Sequence, residues 1–253
     1  MPSRAFELLW TTASVPKSGQ RADENEDACA ANPTAGRFAV ADGASEGWRS
    51  GPWARHLATA FAKAPPDPAS YPAWLASTRL EFPNGQPEAL SWYAEEKQAQ
   101  GAFATLLGVA FRESANGGGA AWKAVAVGDS CVFQVRDGAI VTAFPIDSPG
   151  RFSNQPPLVS STGNGPEPDW FAGRAEIGDE FFLLTDGLAE WFLRESVGGR
   201  SAVERLNEHL DNPAAAAFRA WIHDLRQSHA LRDDDSTAVR VRLEHARRVE
   251  TPS

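Results

Sequence analysis

The chain is poor in the residues that build redox and zinc sites. It has two cysteines, one methionine and five histidines in 253 residues. Cys29 and Cys131 lie far apart, and neither a CxxC nor an HxxxH spacing occurs. A disulfide framework and a zinc site are therefore not expected. Both cysteines fall in or beside expected strands and read as buried free thiols in a reducing compartment.

Positive charge is also scarce. Lys and Arg number 24 against 33 Asp and Glu, for a formal charge of -9 and a pI near 5.1. That balance speaks against a nucleic-acid surface. The one basic cluster, HARRVE, is short. No apolar run approaches the roughly 20 residues of a membrane span. The opening MPSRAFELLW lacks the apolar core of a signal peptide. The expectation is a soluble cytoplasmic protein that engages neither membranes nor nucleic acid. With 42% hydrophobic residues and no visible repeat, residues 1–253 are read as a single domain with a real core.

What the chain does have is apolar runs of strand character. They cover 6–15, 37–42, 103–112, 121–129, 131–136, 139–144, 180–186 and 236–244. In the last, Thr237, Val239, Val241 and Leu243 alternate with Ala238, Arg240 and Arg242, the period of a half-buried strand. Asp137-Gly138 forms the two-residue turn of a hairpin. One helix opens at Ser50-Gly51-Pro52, and Trp53, Leu57 and Phe61 give it an apolar face. Further helices are expected over about 86–100, from 187, over 201–210 and over 213–228, with 64–72 as a linker. The segment 147–170 is rich in Pro, Gly, Ser and Asn and has no periodicity, which reads as a flap-like loop. The order of elements predicts an α+β fold with antiparallel sheet and segregated helices.

The acids have a pattern of their own. RADENEDAC places Asp23, Glu24, Glu26 and Asp27 within five positions. Asp42 ends FAVAD, Asp129 follows AVAVG, Asp186 ends FFLLTD, and Asp233 to Asp235 precede the last strand. A single Asp-Gly is usually only a turn. Several acidic clusters at separate strand ends are more economically explained by convergence on one cleft. Crowded carboxylates are costly unless a cation shares them, and an all-oxygen set suits Mg²⁺ or Mn²⁺.

These segments, in order, resemble the metal-dependent PPM-type Ser/Thr protein phosphatases, the protein phosphatase 2C family, in a divergent bacterial form. The matching stretches are NEDA (25–28), FAVADG (38–43), GAFATLLG (101–108), AVGDS (126–130), LLTDGL (183–188) and DDDST (233–237). The resemblance implies a β-sandwich of two antiparallel sheets flanked by helices on both outer faces, in α-β-β-α layers. It implies phosphoserine and phosphothreonine hydrolysis by a water activated between two Mn²⁺ or Mg²⁺ ions. Asp42 would bridge the ions and Gly43 would lend its carbonyl. Asp186 and Asp234 would complete one shell, Glu26 with Asp27 would hold the second ion, and Asp129 could help hold a third. Partners would be phosphorylated proteins, opposite a Ser/Thr kinase.

Three positions depart from the family pattern. The usual phosphate-binding Arg position is Ala22, which leaves Arg21 or Arg49 to bind substrate phosphate. The usual His after Asp-Gly, a candidate leaving-group acid, is Ala44. Asp235 stands where many members have Asn. The competing readings are a catalytically weak or inactive phosphatase fold used as a binding or regulatory module, an acid-rich nuclease, and a Ca²⁺-stabilised sandwich. A basic groove is missing for the second, and ligands within one loop for the third.

Overall fold

A computed structural model describes residues 6–44, 48–83, 101–114, 119–199, 201–212 and 215–246. Two five-stranded antiparallel sheets face each other. The first runs β1 (Phe6–Val15), β12 (Ser236–His245), β11 (Glu180–Leu184), β7 (Cys131–Arg136), β8 (Ala139–Phe144). The second runs β10 (Asp169–Ala175), β6 (Ala120–Val127), β5 (Leu106–Glu113), β3 (Arg37–Ala41), β2 (Ala28–Asn32). A small ladder pairs β4 (Phe103–Ala104) with β9 (Val159–Ser160). Helices α1 (Ser50–Lys63) and α2 (Tyr71–Glu81) cover the second sheet. Helices α3 (Asp186–Val197), α4 (Ala202–Asp211) and α5 (Ala215–Gln227) cover the first. The fold is thus the layered α+β sandwich expected from the motifs.

Three apolar layers hold it together. Between the sheets, Phe38, Val40, Leu107 and Val109 meet Phe181, Leu183, Val239 and Val241. Strand β11 reads EFFLL because both its faces are covered: Phe181 and Leu183 turn inward, while Phe182 and Leu184 turn to the helices. On the outside of the second sheet, Trp53, Leu57 and Phe61 of α1 pack on Ala39, Leu106 and Val125. Here Gly108 is required by close approach, since a Cβ at that position would lie 2.3 Å from the Phe61 ring. On the other side, Trp191 and Phe192 of α3 join Leu206, Trp221 and Ile222 against Phe133 and Phe182.

The turn at Asp137-Gly138 has both residues at positive φ, 49° and 76°, as a two-residue hairpin on a twisted ladder requires. Strand β12 is more enclosed than its alternation implied. Arg240 is 4% exposed and lies under α4, paired with Asp211 and Asn207. A buried guanidinium is tolerated there because fixed acceptors meet it. The expected linker 64–72 runs into α2, whose Tyr71, Leu75 and Thr78 form a buried stripe. Strands β2 and β10 lie outside the expected runs; ACAAN and DWFAGRA offer little apolar contrast. Cys131 is buried, Cys29 is half-buried, and both are free thiols. The helix expected over 86–100 lies outside the described residues. Among the described residues, no helix is long and apolar enough to cross a membrane.

Candidate active site

Strands from both sheets end at one edge of the sandwich, and a cleft of about 500 Å³ opens there. Asp42, Asp129, Asp186 and Asp234 line it, with Thr105, Phe103 and Arg232. Asp42 follows β3, Asp129 follows β6, Asp186 opens α3 directly after β11, and Asp234 precedes β12. Four acids far apart in sequence are thus brought together because each strand stops at the same edge. Asp27 stands just behind, at the start of β2, and is 6% exposed.

The backbone around the acids is tightly tied. Asp42 N–H donates to Thr105 Oγ1 at 2.9 Å, and Thr105 N–H donates to the Asp42 carbonyl at 2.8 Å. Gly43 sits so close to the next loop that a Cβ would lie 2.7 Å from the Ser50 carbonyl carbon and 2.9 Å from the Glu26 carbonyl oxygen. No larger residue fits without moving backbone. Gly128, at φ 105°, makes the tight turn that presents Asp129.

Burial and mutual repulsion govern these carboxyls. Asp27 is pushed up to about 8, first by burial and then by the charges of Asp235 and Asp186, against hydrogen bonds from Thr237 and Thr185. Asp42 lies well above the usual carboxylate range for the same first reason, with Asp27, Asp186, Asp234 and Asp129 as its repelling neighbours. Asp129 rises to about 7 by burial and by Asp186. Burial also raises Asp186, although the Arg232 guanidinium opposes it. Two oxygens, Asp27 Oδ1 and Asp129 Oδ1, are buried without a hydrogen-bond partner. Such a site suits a divalent cation, which would satisfy the orphaned oxygens and offset the repulsion. Among the described residues, however, no group of three or more His, Cys, Asp or Glu side chains is drawn closely enough together to hold an ion as placed.

The two arginines expected to bind phosphate stand elsewhere. Arg21 is exposed and paired with Asp23 at 2.9 Å and Glu24 at 3.7 Å. Arg49 donates to the Pro83 carbonyl at 2.7 Å and lies over the Phe82 ring. Neither lines the cleft. Arg232 does, 3.7 Å from Asp186 and 3.2 Å from Glu190. It sits in an irregular loop with no local pattern, so only the charge of one Arg beside DDD marked it in the sequence.

Other residues position the acids. Asp235 accepts the N–H groups of Lys17 at 2.8 Å and Glu26 at 2.7 Å, which locks the acidic loop to the start of β12. Its acceptor-only carboxylate suits that double role. Thr185 Oγ1 donates to Asp27 Oδ2 at 2.9 Å. Arg226 of α5, largely buried, holds the carbonyls of Pro16 and Asp234 and the Ser236 hydroxyl. Part of the expected flap, Ser153 to Pro156 with Leu158, forms one wall of the cleft. The 147–170 segment is not wholly irregular: it holds a short 3₁₀ turn at Pro149–Arg151, strand β9 and the start of β10.

The molecule is thus a two-sheet sandwich with an acid-lined cleft at one edge and Arg232 among the residues that line it. The sequence model of protein phosphatase 2C matches residues 17–233, and the chain belongs to that family. Solved structures agree in fold. The catalytic domain of the serine/threonine protein phosphatase PstP, in complex with two manganese ions, is 21% identical; the match covers 94% of this chain and 99% of that one, with a TM-score of 0.60. PppA, a regulatory component of the type VI secretion system in Pseudomonas aeruginosa, is 18% identical over 94% and 98%, at 0.58. The PPM Ser-Thr phosphatase MsPP of Mycobacterium smegmatis, in complex with cacodylate, is 22% identical over 93% and 98%, at 0.54. No curated protein sequence matches the chain.

Proposed function

We propose that the chain is a metal-dependent phosphoprotein phosphatase that hydrolyses phosphoserine and phosphothreonine in cytoplasmic proteins, opposite a Ser/Thr kinase. The observation that carries this reading is the gathering of Asp42, Asp129, Asp186 and Asp234 on one cleft within a protein phosphatase 2C fold. Asp42, the Gly43 carbonyl, Asp186 and Asp234 would hold one Mn²⁺ or Mg²⁺. Glu26, with Asp27 in support, would hold a second that shares Asp42, and Asp129 would serve a third. When bound, such ions supply a water of lowered pKa and offset charge developing on phosphoryl oxygens.

The chain's own groups do the rest. Arg232 presents a guanidinium fork to the cleft, the one cation among its described lining residues and opposite in sign to a phosphate dianion. It takes the role that Arg21 and Arg49 were expected to fill. Phe103, Pro156 and Leu158 form an apolar wall against which the substrate polypeptide can lie.

Two observations favour the second reading, a weak or inactive module. Among the described residues, no three acidic side chains are closed on one point, and Ala44 lines the cleft at the position where the family resemblance puts a leaving-group acid. One assay separates the readings. Phosphoserine and phosphothreonine peptides and p-nitrophenyl phosphate are incubated with Mn²⁺, with Mg²⁺ and with EDTA. Turnover that requires the metal supports the enzyme. No turnover with either metal supports the module, and full turnover in EDTA overturns the metal assignment.

A further inference from the structure

Asp186, Glu190 and Arg194 stand four residues apart on α3, so their side chains share one face of the helix. Arg232 reaches that face from the loop before β12. Its Nη1 is 3.7 Å from Asp186 Oδ2, beyond hydrogen-bond distance, while its Nη2 donates to Glu190 Oε2 at 3.2 Å. Two clefts meet at this side chain. Arg232 lines both the acidic cleft and a neighbouring one of about 660 Å³, whereas Glu190 lines the second and not the first. The hydrogen bond therefore acts on the guanidinium from outside the acidic cleft. Glu190 is itself steadied by Arg194, whose Nη1 is 3.7 Å from Glu190 Oε1 and whose Nη2 donates to the Ala230 carbonyl. Leu231, buried in the same core as Trp191 and Phe192 of α3, anchors the loop between them.

The two oxygens of Asp186 differ in their surroundings. Oδ1 accepts the Gly187 N–H at 2.5 Å, and Oδ2 is the oxygen that Arg232 approaches. A guanidinium closed on a carboxylate makes a strong, charge-assisted pair and competes with any cation for the same oxygens. We propose that Glu190 is a positioning residue that holds Arg232 off Asp186, which leaves Asp186 open to a divalent cation and keeps the guanidinium at the cleft for phosphate. This rests on the reading of Asp186 as a metal ligand. The Glu190 and Arg232 side chains are 29% and 40% exposed, and an ion pair so wet adds little to stability. Its consequence is where the guanidinium sits. Without Glu190, Asp186 is the remaining ion-pair partner of Arg232, and closing on it would place a positive charge where the cation belongs.

The test is calorimetric titration of the full chain with Mn²⁺, in the parent, Glu190→Gln, Arg232→Gln and the double variant. Glu190→Gln should weaken Mn²⁺ binding about tenfold, the scale of a cation brought against a carboxylate. Arg232→Gln should bind Mn²⁺ at least as tightly as the parent. In that background Glu190→Gln should change the affinity by less than about twofold, because its action runs through Arg232. A merely structural ion pair would leave Mn²⁺ affinity unmoved, so unchanged affinity in Glu190→Gln overturns the proposal. An equal loss with and without Arg232 also overturns it, since that marks a direct effect of the Glu190 charge. Weaker binding in Arg232→Gln overturns it whether or not Glu190→Gln folds. No Mn²⁺ bound by the parent overturns the metal reading itself, and this proposal with it, whereas the other failures leave that reading standing. None of these readouts depends on phosphatase activity.

Discussion

Thr185 Oγ1 donates to Asp27 Oδ2 at 2.9 Å across 158 residues of sequence. Thr185 ends the run of β11 in one sheet, and Asp27 leads into β2 in the other. The same hydroxyl accepts the Thr237 N–H at 3.0 Å. One side chain therefore joins three strand ends beneath the cleft.

Removing that hydroxyl is the first prediction. Thr185→Val keeps the shape but leaves the Thr237 N–H and a carboxylate oxygen unpaired in the interior. The cost should be about 1–3 kcal/mol, read from the urea midpoint, and Thr185→Ser should restore most of it. A midpoint unchanged in the valine variant would show that water replaces the hydroxyl freely.

The acids should behave oppositely with and without metal. Asp42→Asn and Asp186→Asn should each remove most turnover. In EDTA, both variants should be at least as stable as the parent, because each amide relieves repulsion among buried carboxyls. Saturating Mn²⁺ should then stabilise the parent far more than the variants, by about 2.7 kcal/mol at a hundredfold excess over Kd. Equal Mn²⁺ stabilisation of parent and variants would exclude these two residues as ligands.

Phosphate recognition separates three arginines. Arg232→Gln should raise KM for p-nitrophenyl phosphate roughly tenfold or more, the scale of a lost charge-assisted hydrogen bond. Arg21→Ala and Arg49→Ala, singly and together, should leave it nearly unchanged, because their guanidinium groups are engaged away from the cleft. A larger effect in the double variant than in Arg232→Gln would return the role to the acidic loop.

The cleft wall formed by residues 153–158 should read the polypeptide and not the phosphate. Shortening that wall should lower kcat/KM on phosphopeptides while sparing p-nitrophenyl phosphate, since binding energy remote from phosphorus is available only to the larger substrate. Equal loss on both substrates would point to damage among the acids.

Acid stability should depend on Asp179, far from the cleft. Burial would raise its pKa, but the Arg136 fork at 2.7 and 2.9 Å, the Glu176 N–H and the Gln134 amide outweigh burial and lower it. The unfolded chain thus binds a proton more readily than the folded one. The stabilisation is complete above the ordinary carboxylate range and fades as pH falls through the folded value. Asp179→Asn should cost roughly 3 kcal/mol at neutral pH and flatten the decline of stability below about pH 4. A parallel pH profile in parent and variant would sink this assignment.

The strand order, the hairpin at Asp137-Gly138 and the acids at the ends of β3, β6 and β11 are all written in local patterns. An apolar run that stops at an acid is visible wherever the strand ends. That same locality hid the rest. Strands β2 and β10 lie at sheet edges with little apolar contrast, and the prolines before Tyr71 masked the start of α2. Arg232, Thr185 and Asp235 carry no periodic signal, because their partners are 42 to 218 residues away in the chain. Sequence by itself therefore determined which residue types would crowd one edge of a sandwich, since that follows from hydrophobic period and the placement of charge. Only the tertiary structure decided which arginine lines the cleft and which hydroxyl ties the sheets together. Those outcomes rest on distances between remote segments, which the packing of the sheets and helices sets.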